Sequence, residues 1–238
     1  AGTFVINGAR ITTSEDGNTR TQYLVRCDEQ AEPLVEYLSR SASMNLMQDG
    51  WIEKNNYFPS HERWDIDRGG RVLAAAERND YVITVFRPGG DVAFTFGREH
   101  EPWKRTAAEK QEIRDALTVI RDGERIEVEV DVEDYEAAVL SLHARPDGET
   151  WVLTSRGRRP TEEGIMVVYD VYDEEGLFIR QVALRIEGDP EEDRLYFLGT
   201  DRVALVRGAV QARRNTFGAR RGEEKEIEGV HDLQVFSF

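Results

Sequence analysis

One stretch constrains the fold of this chain more than any other. Residues 58–97 read FPSHERWDIDRGGRVLAAAERNDYVITVFRPGGDVAFTFG, in which short runs of strand-forming residues alternate with turn sequences rich in Gly, Asn, Asp and Pro. The predicted strands are Trp64–Ile66, Arg71–Ala76, Tyr81–Phe86 and Asp91–Phe96. Short strands joined by turns of this composition are typical of an antiparallel meander.

The meander repeats along the chain. Residues 142–186 show the same order of strands and turns, with Gly70-Arg71-Val72-Leu73 matching residues 148–153 and residues 83–90 matching residues 168–176. Two incomplete copies are predicted as well. Their strands are Thr3–Val5, Gln22–Cys27 and Pro33–Leu38 at the start, and Arg194–Gly199, Arg202–Val206, Gly208–Arg213 and Leu233–Phe238 at the end. A repeated four-strand unit of this length is the sequence mark of a β-propeller.

The same residues carry a family resemblance. DRGGRVLAAAERNDYVITVFRPGGDVAFTFG resembles an NHL-type repeat, which has a D-x-x-G turn, a strand, an Asp/Asn-rich turn, V-x-V-F, a second D-x-x-G turn and a final F-G. PDGETWV and VYDVYDEEGLFIRQVAL are similar to the closing blades of bacterial six-bladed propellers. The resemblance implies that fold, and it hints at a bacterial protein exported to the periplasm or secreted. It says little about function, because such propellers include binding modules, enzymes and assembly factors.

We therefore expect an all-β chain, a β-propeller of four-stranded antiparallel blades with one inserted helix. Residues 1–238 are predicted to form a single propeller domain. About three and a half blades can be counted where closed propellers have about four to eight, so we expect a six-bladed propeller whose amino-terminal blades are missing. A closed four-bladed ring or a dimer of half-rings are the alternatives.

Residues 98–123 interrupt the strand pattern. Arg98–Trp103 is predicted as an extended linker, and Thr106 with Glu109 forms a capping-box sequence at the start of a helix. The helix is predicted over Ala107–Ile120, with Asp122-Gly123 as its stop. Its apolar stripe is expected to pack on the propeller rim or, alternatively, to bind a partner; the stripe consists of Ile113, Leu117 and Ile120.

Several acidic stretches are interpreted as structural. Arg125–Asp134 alternates strictly and predicts one half-buried strand with an acidic outer face. His100 between Glu99 and Glu101 is expected to be solvated rather than a metal site, since neighbouring residues in an extended chain point to opposite sides. Hairpin turns are predicted where acidic residues cluster, at Asp147-Gly148, Asp170, Asp173, Glu174 and Glu175-Gly176.

Composition excludes some partners. The formal net charge of −15 argues against nucleic acid and anionic membrane surfaces. No apolar run approaches the length needed to span a membrane. Cys27 is the single cysteine and lies in an apolar strand, which favours a buried small residue over a nucleophile. The basic segment Arg213–Lys225 is interpreted as a surface hairpin loop.

The candidate site comes from the innermost predicted strand of each blade, which in a propeller lines the central channel. His61, Trp64 and Asp65 lie on that strand in one repeat, and His143 and Arg145 in the next. These residues, with Arg63, are the candidate ligand-binding residues. Two histidines and an aspartate could in principle bind a metal or transfer protons, but no local spacing supports this, and channel residues are often only hydrated.

Two further groups flank these candidates. Tyr57 and Phe58 are expected at the edge of the pocket mouth. Apolar residues of the segment 39–54 are interpreted as packing between blades rather than lining a ligand, because Met and Trp commonly fill gaps; they are Met44, Leu46, Met47, Trp51 and Ile52.

No catalytic signature is present, since G-x-S-x-G, H-E-x-x-H, P-loop and Cys-x-x-Cys sequences are all missing. The sequence therefore favours a non-enzymatic module that binds a protein or a small molecule at the channel mouth or the top loops, without a required cofactor. The alternative is a calcium-dependent lactonase- or esterase-like hydrolase of the six-bladed type, in which calcium would sit in the channel.

Overall fold

The computed structural model describes residues 2–14, 17–45, 49–117, 119–121, 124–212 and 232–237. Strands account for 48% of the residues and helices for 10%, which confirms a mostly-β chain. The chain divides into two compact units, residues 1–142 and residues 143–238. Each unit is described by itself below.

The first unit begins with a three-stranded antiparallel sheet of long strands. Its order is β1 (Thr3–Ser14), β2 (Gly17–Asp28) and β3 (Pro33–Ser43), with β2 in the centre. The polar segment 12–21, whose composition suggests a long hairpin loop, lies in a hairpin but is mostly extended, because β1 and β2 remain paired as far as Ser14 and Gly17. β-Branched threonines favour strands, and this segment pairs them across the hairpin, with Thr12 opposite Thr19.

Short elements follow this sheet. Strand β4 (Trp51–Ile52) pairs in parallel with residues 130–131, and helix α1 (Glu53–Asn56) comes directly after it. A turn of 3₁₀ helix, His61–Arg63, leads into the next sheet. Trp51, Ile52 and Met44 are half-buried, consistent with packing, while Leu46 and Met47 lie outside the described residues.

A four-stranded antiparallel meander completes the core of the first unit, as the sequence predicts. Its strands pair in chain order: β5 (Trp64–Ile66), β6 (Val72–Ala74), β7 (Val82–Phe86) and β8 (Val92–Gly97). We call it sheet I. It contributes to one apolar cluster with the first sheet, in which the buried residues are Leu24, Tyr37, Phe58, Val72, Ala74 and Phe86.

The segment after sheet I differs from the prediction in its boundaries. Helix α2 (Ala107–Ala116) has the expected capping box between Thr106 and Glu109, but it does not reach Ile120. Instead β9 (Val119–Arg121) pairs with β10 (Glu124–Ile126), and β11 (Val130–Asp131) is the parallel partner of β4. The single strand predicted over residues 125–134 is therefore divided, although burial alternates as expected, with Glu127 and Glu129 exposed between half-buried Ile126, Val128 and Val130.

The second four-stranded meander, sheet II, also pairs in chain order. It consists of β12 (Val139–Ala144), β13 (Thr150–Thr154), β14 (Val167–Tyr172) and β15 (Phe178–Leu184). Asp170, predicted in a turn, is instead a buried residue of β14 whose Oδ1 accepts a hydrogen bond from Gln181 at 2.8 Å.

The second unit ends with a three-stranded sheet. Its order is β16 (Arg194–Phe197), β17 (Arg202–Val206) and β18 (Leu233–Ser237). The predicted strand over Gly208–Arg213 is wrong, because residues 209–212 are helical and the Ala212 amide donates to the Gly208 carbonyl at 3.0 Å. The basic segment Arg213–Lys225 lies outside the described residues. Within the described part of the chain, no helix has the length and apolar character needed to cross a membrane.

One turn geometry recurs in both meanders. The first amide of a five-residue turn donates to the carbonyl of the fifth residue, and the fourth amide donates to the carbonyl of the first. The fourth residue has a positive φ angle, which glycine adopts without steric cost. These turns span residues 67–71 and 87–91 in sheet I and residues 145–149 and 173–177 in sheet II, with Gly70, Gly90, Gly148 and Gly176 in the fourth position.

Candidate functional site

The candidates in the first unit lie around β5, an edge strand of sheet I. Trp64 packs against the apolar cluster, and the Asp65 carboxylate accepts a hydrogen bond from the Ile66 amide at 2.8 Å. Arg63 donates from Nε to the Val139 carbonyl at 3.2 Å. Its guanidinium lies 5.4 Å from the Tyr57 ring centre, a cation–π distance. His61 belongs to the 3₁₀ turn; its side chain lies outside the described part of the structure.

Tyr57 and Phe58 do not edge a pocket mouth, contrary to expectation. Both are buried, and the Tyr57 hydroxyl donates to the Ala75 carbonyl at 2.8 Å. Burial raises the pKa of Tyr57 above its ordinary value, although nearby arginines oppose this. These two residues therefore belong to the core, which anchors the segment before sheet I.

The candidates in the second unit belong to an aromatic cluster. The His143 ring lies 4.8 Å from the Phe197 ring and 6.2 Å from the Tyr169 ring, centre to centre. The Arg145 guanidinium stacks 4.5 Å from the Trp151 ring centre and donates to the Asp147 carboxylate and the Thr200 carbonyl. Arg145 is 4% exposed, so its charge is held inside this cluster.

The environment of His143 favours a neutral imidazole. Burial lowers its pKa from 6.5 to about 4, and the positive charge of Arg145 contributes in the same direction. Burial among these aromatic rings disfavours the charged imidazolium, so His143 packs in this cluster as a neutral imidazole.

The two groups of candidates thus lie one in each unit, and the prediction that they meet around a channel stays a prediction. Among the described residues, no three His, Cys, Asp or Glu side chains are grouped so that they could hold a metal ion. His100 makes an edge-on ring contact with Tyr81 at 5.4 Å between centres. Cys27 is buried, as the sequence predicts.

A groove in the first unit is the candidate site that the structure adds. Its volume is about 880 Å³, within the range of ligand-binding clefts. Three separate segments line it, residues 40–43 of β3, residues 49–56 around β4 and α1, and residues 77–80 between β6 and β7. The lining residues are Arg40, Ser41, Ala42, Ser43, Asp49, Gly50, Ile52, Lys54, Asn55, Asn56, Glu77, Arg78, Asn79 and Asp80.

An ion cluster around the half-buried Glu53 includes Arg78, one of the residues that line the groove. The Glu53 carboxylate accepts hydrogen bonds from Arg78 and from Arg105, each at 2.6 Å, and from the Glu133 amide at 3.0 Å. Burial alone would raise the pKa of Glu53, but the hydrogen bonds and charges of Arg105 and Arg78 outweigh it and lower the pKa. The carboxylate therefore stays ionised and joins the loop between β6 and β7 to α1.

The rim of the groove carries charges of both signs. Lys54 and Asp80 are exposed, and neither has a partner among the described residues. Arg40 donates from Nη1 to the Tyr57 carbonyl at 3.1 Å and makes a longer contact with Glu77, at 3.6 Å. Arg78 also donates to the Asn79 side chain at 2.8 Å. Positive, negative and amide groups are thus available to a ligand, and few apolar side chains are.

Arg20 contacts one of the residues that line the groove. Arg20 donates from Nη2 to the Asn56 side chain at 2.6 Å, and its buried Nε has no hydrogen-bond partner in the described structure. This bond connects β2 to α1, and it positions the Asn56 amide where it lines the groove.

Sequence reasoning missed this groove because its walls come from segments far apart in the chain. No local spacing relates residues 40–43 to residues 77–80; only the pairing of strands and the Glu53 cluster bring them together. One signal is present: Arg78-Asn79-Asp80 falls between the predicted strands Arg71–Ala76 and Tyr81–Phe86, and it belongs to the loop after β6.

In a comparison with known proteins, no protein-family model and no curated protein matches the chain.

Proposed function

We propose that this chain is a non-catalytic binding module of the NHL-like β-propeller type, and that its ligand occupies the groove between β3 and the loop of residues 77–80. The groove is the observation that carries the proposal. It combines a ligand-sized volume with a lining of charged and amide groups, and its lining residue Arg78 is held by the Glu53 carboxylate.

The propeller part of the proposal is supported by the internal repeat. Sheets I and II are both four-stranded meanders in chain order, and both have the five-residue turn between the first and second strands and between the third and fourth strands. A register shift occurs at the same place in both, between Val85 and Phe86 and between Val171 and Tyr172. Matching turns and bulges are expected when blades share one template.

The mixed rim favours a polar, multiply charged ligand. An apolar small molecule would find few partners, since the apolar lining residues are Ala42 and Ile52. A segment of a partner protein presents backbone amides and charged side chains together, which matches the chemistry of this rim. The proposed ligand is therefore a polar peptide segment of a protein partner.

The test is a selection followed by a matched pair of charge reversals. A display library of random octapeptides is selected on the whole chain, and the binding of the recovered peptides is measured by titration calorimetry. Asp80→Arg reverses a rim charge in the loop after the second strand of sheet I. Glu163→Arg makes the same change at an exposed position in the corresponding loop of sheet II.

We expect Asp80→Arg to change the affinity about fivefold, near the upper range for an exposed charge, and Glu163→Arg to change it less than twofold. Equal effects of the two variants, or none from either, would refute the groove as the binding site. Turnover of lactone or ester substrates that depends on calcium would instead support the hydrolase alternative.

A further inference from the structure

The groove lies along the edge of a strand rather than on its face. Arg40, Ser41, Ala42 and Ser43 are consecutive, and all four line it. Successive side chains of a strand point to opposite faces of the sheet. A cavity on one face would contact every second residue, so a cavity that contacts all four runs beside the strand, where its backbone is accessible. At about 3.3 Å per residue, this wall is about 13 Å long.

The exposed edge of β3 can be assigned from the strand register. The Met44 amide donates to the Asn18 carbonyl at 2.8 Å, so these opposite residues form a hydrogen-bonded pair. In an antiparallel ladder such pairs alternate with pairs whose backbone groups point outward. Ala42, opposite Arg20, therefore faces β2, whereas Ser41, opposite Thr21, and Ser43, opposite Thr19, direct their N–H and C=O groups away from it.

A side-chain contact agrees with this assignment. The Thr21 and Ser41 hydroxyls are 2.8 Å apart across the two strands, and side chains approach most closely in the pairs that do not exchange backbone hydrogen bonds. β3 is an outer strand of its sheet, and no strand in the described residues pairs with its outer side. The outward amides and carbonyls of Ser41 and Ser43 thus line the groove without a backbone partner in that part of the chain.

The opposite wall is short and highly polar. It consists of four consecutive loop residues, Glu77 to Asp80, whose loop is held at Arg78 by the Glu53 carboxylate. A slot between a strand edge and a charged wall fits an extended chain, because the edge can bond its backbone while the wall contacts every second side chain.

From these observations we propose that the groove binds an extended polar peptide by strand addition to β3. The inference rests on the proposed function and deepens it, since it states how the peptide binds. The peptide's backbone pairs with Ser41 and Ser43, and its side chains that point toward the loop meet Glu77 and Asp80. Basic side chains are therefore favoured at those peptide positions, while acidic ones are favoured near Arg40 and Lys54.

The experiment uses a proline that removes one outward donor. Ser41→Pro deletes an amide N–H that makes no bond to β2, and proline is tolerated on an edge strand when its N–H side faces outward. Ser41→Ala is the matched control, because it removes the hydroxyl and keeps the N–H. The affinity of a selected octapeptide is measured for the whole chain and for both variants, with thermal unfolding as the check on folding.

We expect Ser41→Pro to weaken binding about tenfold, as the loss of one well-formed hydrogen bond implies, and Ser41→Ala to weaken it less than twofold. If Ser41→Pro does not fold, Ser43→Pro tests the second outward amide in the same way. Equal binding by the proline variant and wild type, with a loss in Asp80→Arg, would overturn strand addition and leave the groove function intact. Equal binding by all variants would overturn both.

Discussion

Sheets I and II share one scaffold and differ in what is built on it. Both have the same strand order, the same two turns and the same bulge before the second turn. They differ in the loop between the second and third strands, which spans residues 75–81 in sheet I and residues 155–166 in sheet II. In sheet I that loop forms a wall of the groove.

The first strands of the two sheets differ as well. Counting back from the turns at 67–71 and 145–149, Asp65 in sheet I corresponds to His143 in sheet II. The Asp65 carboxylate accepts a hydrogen bond from the Ile66 amide, whereas the His143 ring packs among aromatic rings. The two sheets therefore share their strands and turns, while the side chains at equivalent positions differ in type and in contacts.

The largest effect is expected where the sheet I loop is tied down. Glu53→Gln leaves Arg78 and Arg105 buried without their counter-charge, with side-chain exposures of 4% and 10%. Loss of one partner of a buried pair costs about 3–5 kcal/mol, so we expect unfolding free energy in urea to fall by about 4 kcal/mol.

The matched change in sheet II should be mild. Glu191 bridges Arg158 and Arg159 of its loop at 3.4 and 3.2 Å, but its side chain is 52% exposed. Glu191→Gln is therefore expected to cost less than about 1 kcal/mol. A loss as large as that of Glu53→Gln would mean that the two loops are anchored alike, contrary to our comparison.

The next effect tests a close approach of backbones in sheet I. A Cβ atom at Gly97 would lie 2.0 Å from the Tyr81 carbonyl oxygen, so the strands would have to move. Gly97→Ala is expected to destabilise the chain by about 3 kcal/mol. Ala183, which pairs with Val168 as Gly97 pairs with Val82, already has a Cβ atom; Ala183→Gly should cost only about 1 kcal/mol. If Gly97→Ala and Ala183→Gly lower stability by similar amounts in thermal unfolding, the two sheets do not differ in this close backbone approach.

A pH-dependent effect is expected from His143 in sheet II. The pKa of His143 is lowered from 6.5 to about 4 in the folded chain, so between these values the unfolded chain binds more protons and acid favours unfolding. The contribution of His143 is complete above pH 6.5 and is lost as the pH falls toward 4. Between pH 7 and pH 4.5 it amounts to about 2 kcal/mol.

His143→Phe retains an aromatic side chain and removes this titration. Urea unfolding at both pH values should therefore show wild type losing about 2 kcal/mol more than the variant on acidification. Identical pH dependence in the two proteins would show that His143 titrates normally, and the packed neutral imidazole would then be wrong.

The smallest effect concerns a turn of the same kind in the first sheet. Residues 28–32 make the same two backbone hydrogen bonds as the repeated turns, but Ala31 occupies the fourth position with a φ angle of 65°. A side chain costs about 1 kcal/mol in this conformation. Ala31→Gly should raise the free energy of unfolding by about 0.5–1 kcal/mol before entropy is counted. The greater conformational entropy of glycine in the unfolded chain reduces this gain.

The reverse change supplies the control for that turn. Gly176→Ala, at a φ angle of 82° in sheet II, should lower stability by about 1–2 kcal/mol. If both substitutions leave thermal unfolding unchanged, the positive φ angle at the fourth turn position does not affect stability.

The elements that sequence predicted well are those encoded locally. The strands and turns of sheet I follow from alternation and from Gly at the left-handed positions, and helix α2 begins where Thr106 and Glu109 form a capping box. Prediction failed where pairing with another segment decided the structure. Residues 12–21 have a turn-like composition, yet most of them are extended. Residues 12–14 pair with β2, residues 17–21 pair with β1, and residues 19–21 pair with β3 as well.

The site was the least predictable part, for the same reason. The groove depends on the register of β3 against β2 and on a cluster that joins Glu53, Arg78 and Arg105, which are separated by tens of residues. None of these relations leaves a periodic or spaced signal in the sequence. Of the candidates chosen from the repeat, Trp64, Asp65 and His143 occupy strand positions. His61 and Arg63 lie in the 3₁₀ turn before β5, and Arg145 begins the turn of residues 145–149.

The most direct measurement is amide hydrogen exchange at the edge of β3, with and without a selected octapeptide. Strand addition predicts that the Ser41 and Ser43 amides exchange rapidly in the unliganded chain and become protected when the peptide binds. The Ala42 amide, already bonded to β2, should be protected in both states and is the internal control. Peptide binding that leaves the exchange of Ser41 and Ser43 unchanged would contradict the assignment of this edge as the binding surface.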